Sequence, residues 1–162
     1  MGDYVLVLNA GSSSLKFCVY RRWSSQLWEI DVRGQIDGLG KGPRFTAHSD
    51  RLGGVVRERL IAAVRDVPSA LAHLAGWLRS QYSGANVLGV GHRIVHGGVH
   101  YTKPALLTPA VLEDLRTLIP LAPLHQPHNL AAVDAVSARL PDVPQVACFD
   151  TSFHSGRYRL SN

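Results

Sequence analysis

The sequence predicts an α/β fold, a mixed sheet flanked by helices. Three observations carry that expectation. Short apolar runs with a period of two crowd the first third of the chain. Helical stripes then alternate with short strands. Polar clusters at Asn9 to Lys16, His92 to Gly98 and Asp150 to His154 each follow or bracket a strand. Ligands in such sheets gather at the carboxyl ends of strands, so convergence of the three clusters points to one site.

Each element has its own warrant. Val5-Leu6-Val7-Leu8 predicts a strand over 4–8, and Leu15 to Tyr20 alternates as a half-buried strand over 15–21. A third strand is expected over 27–36, ending at Asp37-Gly38-Leu39-Gly40, and a weaker one over 44–48. Residues 49–65 fit no single element, since Gly53-Gly54 precedes a mixture of Arg, Leu and Val. Pro68 suits a first helical turn, with Leu71, Leu74, Leu78 and Tyr82 at helical spacing and Ser83-Gly84 as the stop. Val87 to Val90 reads as a short buried strand. Thr108-Pro109 starts a helix that presents Leu112, Leu115 and Ile119 on one face and stops at Pro120. Pro127 starts the next, with Leu130, Val133, Val136 and Leu140 as its buried stripe, and Val143 to Phe149 is a final strand ending at Asp150.

Composition narrows the function classes. At 162 residues, with 46% apolar and 18% charged residues, the chain suits one globular domain with a sizeable core. The net charge is +5, and 14 of the 17 basic residues are arginines spread along the chain. A diffuse basic surface suits anionic small molecules or nucleic acid alike. A nucleic-acid interface would concentrate that charge beside exposed aromatics. Trp23, Trp28 and Trp77 are instead scattered on predicted strands and a helix, where the core is their expected place. Cys18 and Cys148 sit singly in strand-like runs and read as buried free thiols of a reducing compartment. No basic segment precedes a long apolar core, and no apolar run approaches the ~20 residues of a membrane span. A cytoplasmic protein without membrane contact is the expectation.

The chemistry-bearing residues follow. Between the first two strands lie Asn9, Gly11, Ser12, Ser13, Ser14 and Lys16. Gly11 can take positive φ, the hydroxyls supply donors, Asn9 can orient water or a metal, and Lys16 brings positive charge. A functionless polar hairpin has a similar composition. The Walker A ending is missing, and the turn opens a strand, not a helix. Arg93 stands among Gly91, Gly97 and Gly98 after a buried strand, where its planar fork can clamp carboxylate or phosphoryl oxygens. Six of eight histidines fall between His92 and His154. His92, His96 and His100 would share a helical face, but Gly97-Gly98 argues against that helix and against a histidine-bound metal. His125 precedes a helix start, either at an anion-welcoming end or as a cap or packing residue. Asp150 directly follows an apolar strand, where a carboxylate holds Mg²⁺, orients a nucleophile or makes an Asx-turn.

The strand–turn–strand clamp resembles that of the sugar kinase and actin type of nucleotide fold. Leu8 to Phe17, Gly91 to Gly98, Leu121-Ala122-Pro123-Leu124-His125 and Phe149 to His154 together resemble the acetate kinase family, in the right order and over nearly the whole chain. The resemblance implies a ribonuclease H-like mixed sheet, the amino-terminal lobe of an actin-like ATPase fold. It implies phosphoryl transfer from ATP to acetate or another short-chain carboxylate, giving ADP and acetyl phosphate, with Mg²⁺. By matching position, Asn9 resembles the metal-site asparagine, and Ser12, Ser14 and Lys16 the ATP-phosphate side. Arg93 resembles the substrate-binding arginine, Val95 and Leu124 the pocket for acetate's methyl group, His125 an active-site histidine and Asp150 the catalytic aspartate. A carboxylate acceptor is already ionised at pH 7, so Asp150 is better cast as a Mg²⁺ or water-orienting ligand than as a base. The family continues past His154 into a second lobe with the adenosine pocket, whereas this chain ends at Asn162. Residues 1–162 are therefore expected to form a single domain, one lobe of a kinase and inactive alone. The alternatives are a non-catalytic binding or regulatory module and a basic nucleic-acid-binding domain on the same sheet.

Overall fold

A computed structural model describes residues 2–22, 24–95, 97–98, 101 and 103–149. Eight strands form one mixed sheet: β1 (Tyr4–Ala10), β2 (Leu15–Arg22), β3 (Trp28–Asp37), β4 (Arg44–Ser49), β5 (Gly54–Arg59), β6 (Val87–Ile94), β7 (Ala105–Leu106) and β8 (Gln145–Phe149). Their spatial order is β5-β4-β3-β2-β1-β6-β8-β7. The first five strands make an antiparallel meander, which needs only tight turns. β6 and β8 then add in parallel to β1, each reached through a helix, as parallel neighbours require.

Three helices complete the described fold: α1 (Val67–Gln81), α2 (Pro109–Arg116) and α3 (Gln126–Arg139). α1 begins at a reciprocal cap, in which Asp66 Oδ1 accepts from the Ser69 N–H at 3.0 Å and the Asp66 N–H donates to Ser69 Oγ at 3.1 Å. Pro68 stands in this first turn, as its residue type suggests, and the cap residue Asp66 lies just ahead of it. α2 starts on Thr108, whose Oγ1 accepts from the Val111 N–H at 3.2 Å. It ends at Arg116, earlier than the expected stop, and Pro120 lies inside a separate 3₁₀ turn, Ile119–Leu121. β5 resolves the ambiguous segment, and β6 runs four residues past Val90, which puts Arg93 within a strand.

Alternation along the strands sorts the sheet into two faces. Leu6, Leu8 and Ala10 of β1, Leu15, Phe17 and Val19 of β2, and Val90, His92 and Ile94 of β6 are buried on one face. α1 covers it with Ala70, Leu71, Leu74 and Leu78, and α3 with Ala132 and Val136. A second cluster of Ile94, Leu115, Leu130, Val133, Ala147 and Phe149 joins α2 and α3 to β6 and β8. Gly34 on β3 leaves room for the ring of its β2 partner Phe17, since a Cβ there would lie 2.5 Å from it. Trp77 packs on this core against Phe17 and Phe45, whereas Trp28 is half-exposed near Arg22 and not a core residue.

A bulge between β2 and β3 skips Asp31, which instead pairs with Arg51 at 3.0 Å and accepts from the Tyr82 hydroxyl at the end of α1. That contact ties the outer meander to the helical layer. All three described helices lie on the core face, and among the described residues no helix is long and apolar enough to cross a membrane.

Candidate active site

The opposite face of the sheet carries the predicted polar residues. Asn9 on β1 stands directly across from Lys16 on β2. The parallel pairing of β1 with β6 ends at Leu8 and His92, so Asn9 and Arg93 are the next residues on neighbouring strands. Arg93 stands across from Cys148 on β8. Because side chains alternate, Lys16, Asn9, Arg93 and Cys148 form one row over four adjacent strands, on the face without a described helix. Burial pushes the Cys148 thiol up, and the nearby Arg93 charge pulls it partly back. Both cysteines are free and half-buried on this face, not in the core as expected. Gly89 and Gly91 precede Arg93 on the same face and leave the sheet bare of side chains there.

The row ends at the turn from β1 to β2. The Gly11 N–H donates to the Ser14 carbonyl at 2.8 Å, leaving Ser12 and Ser13 as an exposed tip. The Leu39 N–H fixes the Ser13 carbonyl at 3.1 Å, so the turn leans on the connection from β3 to β4. Among the described residues the backbone N–H groups of Ser12, Ser13 and Ser14 donate to nothing, which leaves them for an external acceptor. Gly11 does not use the positive φ expected of it; Gly38 and Gly40 of the supporting connection do. A two-residue tip closes without a left-handed residue at that position.

The other predicted residues divide. Val95 follows β6 directly, and its N–H donates to Asn129 Oδ1 at 3.0 Å. Asn129 Nδ2 donates to the Ala10 carbonyl at 2.7 Å, which ties α3 to the ends of both β1 and β6. Nothing in the sequence reading singled out Asn129; its position one turn into a helix just after His125 was the available signal. His125 is exposed at the N-cap of α3 and makes no side-chain cap, which removes the capping alternative. Leu124 beside it is 73% exposed, an unburied apolar side chain at the same helix start. Asp150, the residue after β8, lies outside the described residues, as do His96, His100 and His154.

His92 has a structural place. It is buried on the core face, donates from Nε2 to Gln145 Oε1 at 2.6 Å, and Gln145 donates onward to Ser137 Oγ at 2.8 Å. Burial, opposed by the Gln145 bond, lowers its pKa to about 4. Gly97 likewise serves packing, since a Cβ there would lie 2.9 Å from the Phe149 ring. No group of three His, Cys, Asp or Glu gathers among the described residues. The donors near the row are oxygens, the Asn9 carboxamide and the Ser12 and Ser14 hydroxyls. That set fits a hard cation which takes most of its ligands from phosphates and water. A hollow of about 330 Å³ between Arg44, Thr46, Arg57 and Arg59 lies further out, on β4 and β5.

Sheet order, helix placement and a polar row beside an open hydroxyl turn define the amino-terminal lobe of an actin-like ATPase fold. The crystal structure of Porphyromonas gingivalis acetate kinase shares it at a TM-score of 0.80 and 31% identity, over 99% of this chain and 42% of that one. A propionate kinase from Francisella tularensis superposes at 0.81 with 29% identity, over 94% of this chain and 38% of that one. In sequence, residues 4–157 match the model of the acetokinase family, and the chain belongs to that family. It is 43% identical over 153 residues to acetate kinase of Nitrobacter hamburgensis and 46% over 155 residues to that of Rhizobium meliloti. It covers 94% and 95% of itself in those matches but spans only 38% and 39% of the two relatives' length.

Proposed function

We propose that the protein carrying this chain transfers the γ-phosphoryl group of ATP to acetate or another short-chain carboxylate, and that residues 1–162 are its amino-terminal lobe. The row of Lys16, Asn9 and Arg93 beside the unpaired N–H groups of Ser12 to Ser14 carries this reading. Family membership and relatives named acetate and propionate kinase support the choice of acceptor. The two free cysteines accord with a reducing, cytoplasmic setting.

In the proposed reaction a carboxylate oxygen attacks the γ-phosphorus, the bond from that phosphorus to the bridging oxygen breaks, and ADP leaves with the electron pair. No proton moves at the acceptor, because a carboxylate is ionised at neutral pH. The chain's task is positioning and charge neutralisation. The open N–H groups and hydroxyls of Ser12 and Ser14, with Lys16, hold phosphate oxygens. Arg93 clamps the acceptor carboxylate and the phosphoryl group in flight. Asn9 and Asp150 would hold Mg²⁺, which supplies charge neutralisation on the phosphates when bound. Val95 and Leu124 flank the acceptor's alkyl end, and His125 stands at the same helix start. Trapping acyl phosphate with hydroxylamine, using the full-length protein, ATP–Mg²⁺ and a series of carboxylates, tests the reading. Product with acetate or propionate supports it; tight ATP binding without product would favour a regulatory module instead.

A further inference from the structure

Asn129 does something to the sheet that the reaction reading alone does not require. Continuing the register Leu8–His92 by two residues pairs Ala10 with Ile94. In a parallel ladder of this phase the bonds beyond the paired residues would run from the Ala10 N–H to the Arg93 carbonyl and then from the Val95 N–H to the Ala10 carbonyl. The phase is fixed by the turn: Gly11 points its N–H toward β2, so the peptide groups of Ala10 point toward β6. The Val95 N–H and the Ala10 carbonyl are both hydrogen-bonded, but not to each other. Val95 donates to Asn129 Oδ1 at 3.0 Å, and Asn129 Nδ2 donates to Ala10 at 2.7 Å. A carboxamide has taken the place of one rung.

A carboxamide suits this position, since its oxygen accepts while its nitrogen donates. Asn129 is 2% exposed, so water does not compete for either bond. Its own backbone is held, the N–H donating to the His125 carbonyl at 3.1 Å in the first turn of α3. Buried Gln126 also reaches the Leu115 carbonyl of α2 at 3.4 Å, which anchors that turn from the other side. The wedge therefore sits on a fixed base.

We propose that Asn129 is a positioning residue that holds the ends of β1 and β6 one carboxamide apart, setting the distance between the serine turn and the Arg93–Val95 segment. This rests on reading the row as a phosphoryl-transfer site, where misplacement by about 1 Å costs on the order of 10²-fold in rate. Each half of the site keeps its own residues if the wedge is lost. Only their spacing changes.

The test uses the full-length protein with N129A and N129L, the second keeping bulk without hydrogen bonds. N129D, which keeps the acceptor and loses the donor at neutral pH, serves if either fails to fold. The Val95 amide should exchange with solvent at least about 10-fold faster in N129A and N129L, and stay protected in N129D, whose carboxylate still accepts from it. The kcat should fall at least about 10-fold while KM for ATP and for the carboxylate each change less than about three-fold, in protein of near-parental melting temperature. A Val95 amide still protected in N129A, or kcat within two-fold of the parent, overturns the assignment. A parent that makes no acyl phosphate overturns the reaction reading instead, and Val95 exchange then decides the wedge by itself.

Discussion

Arg93 and His92 are neighbours in sequence and opposites in role, because consecutive strand residues face opposite sides of the sheet. Arg93 belongs to the open-face row. If it clamps the transferring group, R93A in the full-length protein should lower acyl-phosphate formation about 10³-fold or more, measured by hydroxylamine trapping. Activity within a few-fold of the parent would take Arg93 out of the site. His92 is buried neutral, and its folded pKa of about 4 lies below the unfolded value of about 6.5. The unfolded chain therefore binds the extra proton first, so stability is lost as pH falls from about 6.5 toward 4. Between pH 7 and 5 the expected loss is about 2 kcal/mol, read from urea midpoints, and H92Q should not show it. By sequence the histidine stood only in a polar cluster, and its neutral, structural state was not legible there, because Gln145 reaches it from 53 residues away.

At the scale of elements, the local code was readable wherever one segment could bury its own stripe. α3 shows this, with Leu130, Val133 and Val136 all buried as the spacing required. Boundaries failed where a backbone partner lay elsewhere. β6 continues through a glycine-rich run that reads as a loop, because β1 and β8 supply its hydrogen bonds from both sides. β7 is two residues long and exists only as a partner of β8. The start of α1 hinges on the Asp66–Ser69 exchange, and D66A should cost about 1 kcal/mol, visible as a lower urea midpoint at unchanged slope. An unchanged midpoint would show that packing of Leu71, Leu74 and Leu78 alone sets that helix.

At the scale of the molecule, one face of the sheet is closed by three helices and the other carries the polar row. A polypeptide ending at Asn162 should fold cooperatively, since two large hydrophobic clusters form among the described residues. It should not turn over ATP and acetate, because phosphoryl transfer needs charge from both sides of a cleft and this row supplies one. A thermal melt with hydroxylamine trapping on that polypeptide decides both points, and multiple turnovers would refute the half-enzyme reading.

Side-chain pattern alone carried most of the strands and helices, their buried stripes, and the polar residues beside them. Those are local properties, set by side-chain periodicity of two or 3.6 and by turn chemistry within a few residues. The packing of distant segments, not any one of them, set β1 between β2 and β6 and so placed Asn9 between Lys16 and Arg93. It also decided that Asn129 replaces a rung between β1 and β6. Backbone hydrogen bonds are the same for every residue type, so strand neighbours are chosen by how distant stripes pack together, a choice no single segment encodes.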